Sequence, residues 1–103
     1  MYSNAEYVLI LKAMSDETRL NILKMLSSGE LCACKILESF NITQPTLSYH
    51  MKILTDCGLV TGVRDGAWMR YNLNLDNIEK IYSLLNTLKE SEPNQVVMTD
   101  VCK

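Results

Sequence analysis

The segment that most restricts the fold is residues 30–54, ELCACKILESFNITQPTLSYHMKIL. A short stretch, 31–40, reads as a helix and ends in Asn41-Ile42-Thr43, which suits a tight turn. Thr43 then offers a capping hydroxyl to a helix over 44–56. Pro45 fits its first turn, where the backbone N–H would have no helical partner. Leu47, Met51 and Leu54 recur at i, i+4 and i+7 and turn inward, which leaves Gln44, Thr46, Tyr49, Lys52 and Ile53 outward. Helix, short turn and capped helix make a helix–turn–helix.

The flanking sequence completes a small domain. Residues 4–14, NAEYVLILKAM, open on Asn4 as a cap and run almost uniformly apolar, which demands burial in a core or an interface. Residues 15–27 form a second helix capped by Ser15, with Asp16 and Glu17 at the positive end of its dipole and Leu20, Ile22, Leu23 and Leu26 as its apolar face. After Cys57-Gly58, the β-prone runs 59–64 and 67–73 flank Asp65-Gly66, a strong hairpin signal. Residues 76–90 make a last amphipathic helix with the stripe Ile78, Ile81, Tyr82, Leu85 and Leu88. Pro93 stops it, and 93–103 reads as a flexible tail. The expected architecture is one domain over 1–92, mainly α with a small β-hairpin wing, in the order ααααββα: a winged helix–turn–helix.

Bulk properties narrow the setting. A chain of 103 residues, 48% hydrophobic, builds only a small core. Domains of this size bury about two-thirds of their unfolded surface, so dimerisation would help. No apolar run approaches the ~20 residues of a membrane span. The first residues carry acids and lack the basic start of a secretory signal. A cytoplasmic location and no membrane partner are therefore expected. The net charge is −2, yet residues 35–71 carry +1, against −1 before them and −2 after them. A dimer would present that middle segment twice, and its few phosphate contacts would give a strongly salt-dependent affinity.

Four cysteines stand at 32, 34, 57 and 102. Cys32 and Cys34 are too close for an ordinary disulfide framework, and in a reducing compartment such a pair serves metal or redox chemistry. As(III), Sb(III), Cd(II) and Pb(II) prefer thiolate ligands. Two positions apart on an ideal helix, the side chains diverge by about 200°; in an extended segment they share a face. Joint binding is thus expected to unwind the start of helix 31–40, straining the support of helix 44–56. Cys102, on the tail, is the candidate third ligand. Cys57, which reads as a small buried residue, and an external thiol or hydroxide are the other possibilities. His50, the only histidine, adjoins the inward stripe and suits a structural or backbone-bonding role. Trp68 and Tyr71 suit packing of the hairpin onto the helices. No histidine lies within 76–90, which argues against a zinc site there. No further acid–base cluster accompanies the thiol pair, so an enzyme is not expected, and no ion is required for folding.

The ordered segments DETRLNILKML, ELCAC, TQPTLSYHMKIL, DCGLV and RDGAWMRYNL, spanning roughly 5–90, resemble the ArsR/SmtB family of winged-helix metalloregulatory repressors. The arsenical-resistance branch is most similar, with cadmium/lead sensors near it. The resemblance implies a homodimer joined by its first and last helices. It also implies binding to double-stranded operator DNA without ligand, and release when a thiophilic ion binds Cys32 and Cys34. As(III) or Sb(III) is the first expectation for that ion, Cd(II) or Pb(II) the next. A further cysteine common in that branch would fall at Leu37 and is missing. Because the second helix of a helix–turn–helix lies in the major groove, Gln44, Thr46, Ser48 and Tyr49 are the expected base or phosphate contacts. Lys52 is the expected phosphate partner, and Arg64 and Arg70 flank the wing. The alternative is a thiol redox or persulfide sensor of the same fold, with Cys32 or Cys34 bridged to Cys102.

Overall fold

The computed structural model describes residues 3–90. Its elements are α1 (Asn4–Met14), α2 (Glu17–Leu26), β1 (Leu31–Cys32), α3 (Ala33–Glu38), α4 (Gln44–Asp56), β2 (Val60–Asp65), β3 (Trp68–Leu73) and α5 (Leu75–Lys89). The tail, with Cys102, lies outside the described residues.

Local chemistry sets the helix ends. Ser3, not Asn4, caps α1 in a reciprocal capping box: its Oγ accepts from the Glu6 N–H, and the Glu6 carboxylate accepts from the Ser3 N–H. Asp16, not Ser15, caps α2, because Asp16 is the residue in extended conformation and its carboxylate accepts from the Arg19 N–H at 3.1 Å. That bond holds the Asp16 carboxyl below its ordinary range. Ser15 closes α1 instead, with its N–H and hydroxyl donating to the Lys12 carbonyl. Thr43 caps α4 through the Thr46 N–H, as its sequence indicates.

The sheet has three antiparallel strands in the order β1-β3-β2. The hairpin runs in register from Val60 opposite Leu73 to Asp65 opposite Trp68, and Gly66 supplies the positive φ of +65° at its turn. The first strand departs from the sequence expectation. Residues 31 and 32 are not helical; Leu31 pairs with Tyr71 and Cys32 with Arg70, and α3 begins only at Ala33.

Ile10, Ile22, Ile36, Met51, Leu54, Leu59 and Val60 are almost fully withdrawn from solvent. They come from α1, α2, α3, α4, β2 and, for Leu59, the link between α4 and β2, so one core supports both the helix–turn–helix and the hairpin. Leu20, expected inward, stays partly outside at 39% exposure. The last helix is anchored by the Asn74 N–H to the Leu59 carbonyl and the Asn77 amide to the Gly58 carbonyl. Only Ile81 of α5 is buried; Tyr82, Leu85 and Leu88 are more than half exposed, as is Leu9 on α1. Both terminal helices thus leave apolar surface uncovered within the protomer. Among the described residues, no helix is long and apolar enough to cross a membrane.

Candidate DNA-reading surface and thiol pair

One face of α4 is buried through Leu47, His50, Met51 and Leu54, and the opposite face is free. Gln44, Thr46, Ser48 and Tyr49 are all exposed, Tyr49 opposite the buried stripe and Gln44 and Ser48 at its edge toward the hairpin. The Thr43 hydroxyl donates to Thr46 Oγ1 at 3.0 Å, which orients that hydroxyl while leaving its own hydrogen to donate. Tyr49 is 61% exposed, its ring edge-on to His50. Lys52 is engaged by Asp56 at 3.1 Å one turn on, an exposed pair that a phosphate can readily displace. The wing stands beside this face. Arg64 and Trp68 line, with Gln44 and Ser48, a cleft of about 170 Å³ between α4 and the hairpin. Tyr71 is buried, as expected of hairpin packing, but Trp68 remains 40% exposed at this cleft.

His50 has a side-chain partner rather than a backbone one. Arg19 Nη1 lies 3.1 Å from His50 Nδ1, and Arg19 Nε donates to the Ala13 carbonyl at 2.7 Å. A guanidinium only donates, so Nδ1 is the acceptor and the ring hydrogen sits on Nε2. One side chain of α2 thereby ties the end of α1 to the middle of α4. Residues 31 apart in sequence give no local signal of this contact.

The strand at 31–32 changes the geometry of the thiols. Cys32 is extended (φ −72°, ψ 146°) and occupies the N-cap of α3, where its Sγ accepts from the Cys34 N–H at 3.3 Å. Cys34 lies in the first turn, and the two sulfurs, both free thiols, are 2.6 Å apart. The expected unwinding of α3 is therefore unnecessary: the first cysteine already lies outside the helix, and the pair converges as folded. Donation by the Cys34 S–H, helped by backbone N–H groups and the Arg70 charge, lowers the pKa of Cys32. The same bond, which Cys34 gives up on ionising, raises the pKa of Cys34. Cys57 is separate: its Sγ donates to the Leu54 carbonyl, and burial pushes its pKa up. Among the described residues, no three His, Cys, Asp or Glu side chains cluster as a metal site.

These opposite shifts predict an order of reactivity. The thiolate is the nucleophile, so the group with the lowered pKa carries more of it near neutral pH. With limiting iodoacetamide at pH 7, Cys32 should be labelled at least about tenfold faster than Cys57. Peptide mapping by mass spectrometry checks this, and equal rates would contradict the geometry.

Arg70 is held on both sides. Its Nε donates to Asp65 Oδ2 at 2.6 Å, and its Nη1 lies 3.9 Å from Glu30 Oε1. Arg64, by contrast, forms no salt bridge among the described residues and keeps its charge available.

A capped, outward-facing helix beside a paired-strand wing defines a winged helix–turn–helix DNA-binding protein. Residues 16–61 match the family model described as bacterial regulatory protein, arsR family. The chain is 51% identical over 88 residues to the arsenical resistance operon repressor of Staphylococcus aureus, spanning 82% of this chain and 85% of that protein. A crystal structure of an ArsR family transcriptional regulator matches with a TM-score of 0.81 at 20% identity, over 86% of this chain and 92% of its own. The solution structure of a homodimeric winged helix–turn–helix DNA-binding domain from Mycobacterium bovis matches at 0.68 and 23% identity, over 84% and 80%. At those identities the two structures speak to fold alone. The chain belongs to the arsR family of bacterial regulatory proteins, and it is a transcription regulator of the winged helix–turn–helix class.

Proposed function

We propose that the chain is a repressor that binds operator DNA as a homodimer and is released when a thiophilic ion is held by Cys32 and Cys34. The observation that carries this reading is the convergence of the two sulfurs at the N-cap of α3, the first helix of the helix–turn–helix whose second helix, α4, presents the exposed Gln44, Thr46, Ser48 and Tyr49. As(III) or Sb(III) is the favoured inducer, since the chain is half identical to an arsenical resistance operon repressor; Cd(II) or Pb(II) comes next. Each thiol that bonds to a trivalent arsenic hydroxide gives its proton to the departing hydroxide, so two As–S bonds form as two waters leave. Cys102 is the candidate third donor, with an external thiol or hydroxide as the substitute.

Gln44, Thr46, Ser48 and Tyr49 would read the major groove, with Lys52, Arg64 and a displaced Arg70 on phosphate. The uncovered apolar residues of α1 and α5 support pairing of protomers through those helices. The protein would act in the cytoplasm, by binding rather than catalysis. The same sulfur proximity favours one second reading, a dithiol switch. In that case peroxide oxidises the Cys32–Cys34 pair directly, and the two protons and two electrons lost reduce it to two waters.

The test is fluorescence anisotropy on a duplex selected by the protein from a randomised library. Arsenite should weaken wild-type binding by at least about tenfold, and Cys32→Ser and Cys34→Ser should each abolish that response. Undiminished release in both variants would sink the site assignment. Release by peroxide with none by arsenite would select the redox reading. Loss of response in Cys102→Ser would place the tail in the site.

A further inference from the structure

Cys32 and Cys34 stand on different elements. Cys32 belongs to β1, which pairs with β3 of the wing; Cys34 belongs to α3, which leads through residues 39–43 into α4. Any ligand that ties the two sulfurs together therefore acts between the wing's sheet and the helix–turn–helix.

One side chain spans the route. Arg70 is the register partner of Cys32. Its Nε donates to Asp65, at the hairpin tip, and its Nη1 faces Glu30, next to β1. Glu30 in turn accepts from the Asn72 amide at 3.1 Å. Asp65 is the register partner of Trp68, which lines the cleft between the wing and α4. That cleft, about 170 Å³, leaves room for the hairpin to shift against Gln44 and Ser48. A guanidinium can hold two carboxylates in fixed directions, which an ammonium does poorly. Both ion pairs are roughly half exposed, so the fold does not depend on them.

Resting on the inducer reading above, we infer that ligation of the thiol pair is signalled to the wing through the β1–β3 pairing, with Arg70 as the positioning residue that couples them. The recognition helix is then not the only element the ligand moves. Release of DNA includes a change in how the hairpin sits against α4.

Trp68 is the only tryptophan in the chain and lies on the wing, so it reports this motion without DNA. The full-length reduced protein is titrated with sodium arsenite. Trp68 emission is followed while protection of Cys32 and Cys34 from alkylation measures binding. Wild type should show protection and an emission change with one midpoint. Arg70→Gln removes a charge beside Cys32, so its own protection midpoint is measured and the variants are compared at full protection, where its emission change should fall at least about fivefold. Arg70→Lys should recover part of that change. Glu30→Gln, which leaves the guanidinium in place, should lose part of it and serves if Arg70→Gln does not fold by circular dichroism. A full emission change in a protected, folded Arg70→Gln, or protection without any emission change in wild type, overturns the coupling and leaves the inducer reading standing. Absence of protection in wild type overturns the inducer reading and the coupling with it.

Discussion

Leu54→Ala should cost about 3–5 kcal/mol, a large share of the 5–15 kcal/mol that holds a domain of this size together. Leu54 is fully buried, on α4, within the core shared by α1, α2, β2 and the buried Leu59. Truncation removes the transfer free energy of three carbons and leaves a cavity that rigid neighbours fill only in part. The cost is not local. Leu54 stands one turn beyond His50 and Met51 on the inward face of the helix that presents Gln44 and Tyr49. Thermal unfolding by circular dichroism should show a midpoint lowered by roughly 12–30 °C. Val63→Ala, on the exposed wing strand at 60% exposure, should stay within about 0.5 kcal/mol of wild type and serves as the control. A Leu54→Ala midpoint within a few degrees of the control would mean that α4 is not held by this core.

Why α4 and the hairpin could be read from sequence, and β1 could not, follows from the range of the interactions that make them. The Thr43 cap, Pro45 and the Leu47–Met51–Leu54 stripe each rest on steps of four residues or fewer, and the observed bounds of α4, Gln44–Asp56, coincide with the expected ones. Asp65-Gly66 likewise marks its own turn, with Gly66 at positive φ. Leu31 and Cys32 owe their strand to Tyr71 and Arg70, about forty residues away, and a two-residue strand has no periodicity of its own. That single non-local pairing turned the thiol geometry around. Read as helix, Cys32 and Cys34 diverge; placed as strand end and first helical turn, they converge. The same range argument covers the caps of α1 and α2, each displaced by one residue. Several nearby Ser, Asp and Asn side chains could cap, and only the backbone angles choose among them. Within the candidate site, the residue types were legible and the links between them were not. Of the residues read as outward from helical spacing, Gln44, Thr46, Tyr49 and Lys52 are exposed and Ile53 is half-buried against the core, but the Glu30–Arg70–Asp65 chain and the Arg19–His50 contact require the folded topology.

Arg19→Met should destabilise the protein by about 2–4 kcal/mol, because one substitution removes the charged donor from two acceptors at once. The Ala13 carbonyl lies in the last turn of α1, where carbonyls have no following helical N–H, and Arg19 Nε fills that need at 2.7 Å. His50 Nδ1, on a side chain only 9% exposed, accepts from Nη1. With methionine in place, the stem still packs but both acceptors lose their partner. His50→Phe removes only one of the two bonds, and the freed Nη1 can turn to solvent, so its cost should be smaller, about 1–2 kcal/mol. In the double variant the second substitution should cost less than it does alone. A double-mutant cycle from urea unfolding should give a coupling of about 1 kcal/mol or more. Additive costs would mean that the two side chains do not act as a unit. A real coupling would make Arg19 the joint through which α2 and the end of α1 fix the angle of α4, and with it the placement of Gln44 and Tyr49 against DNA.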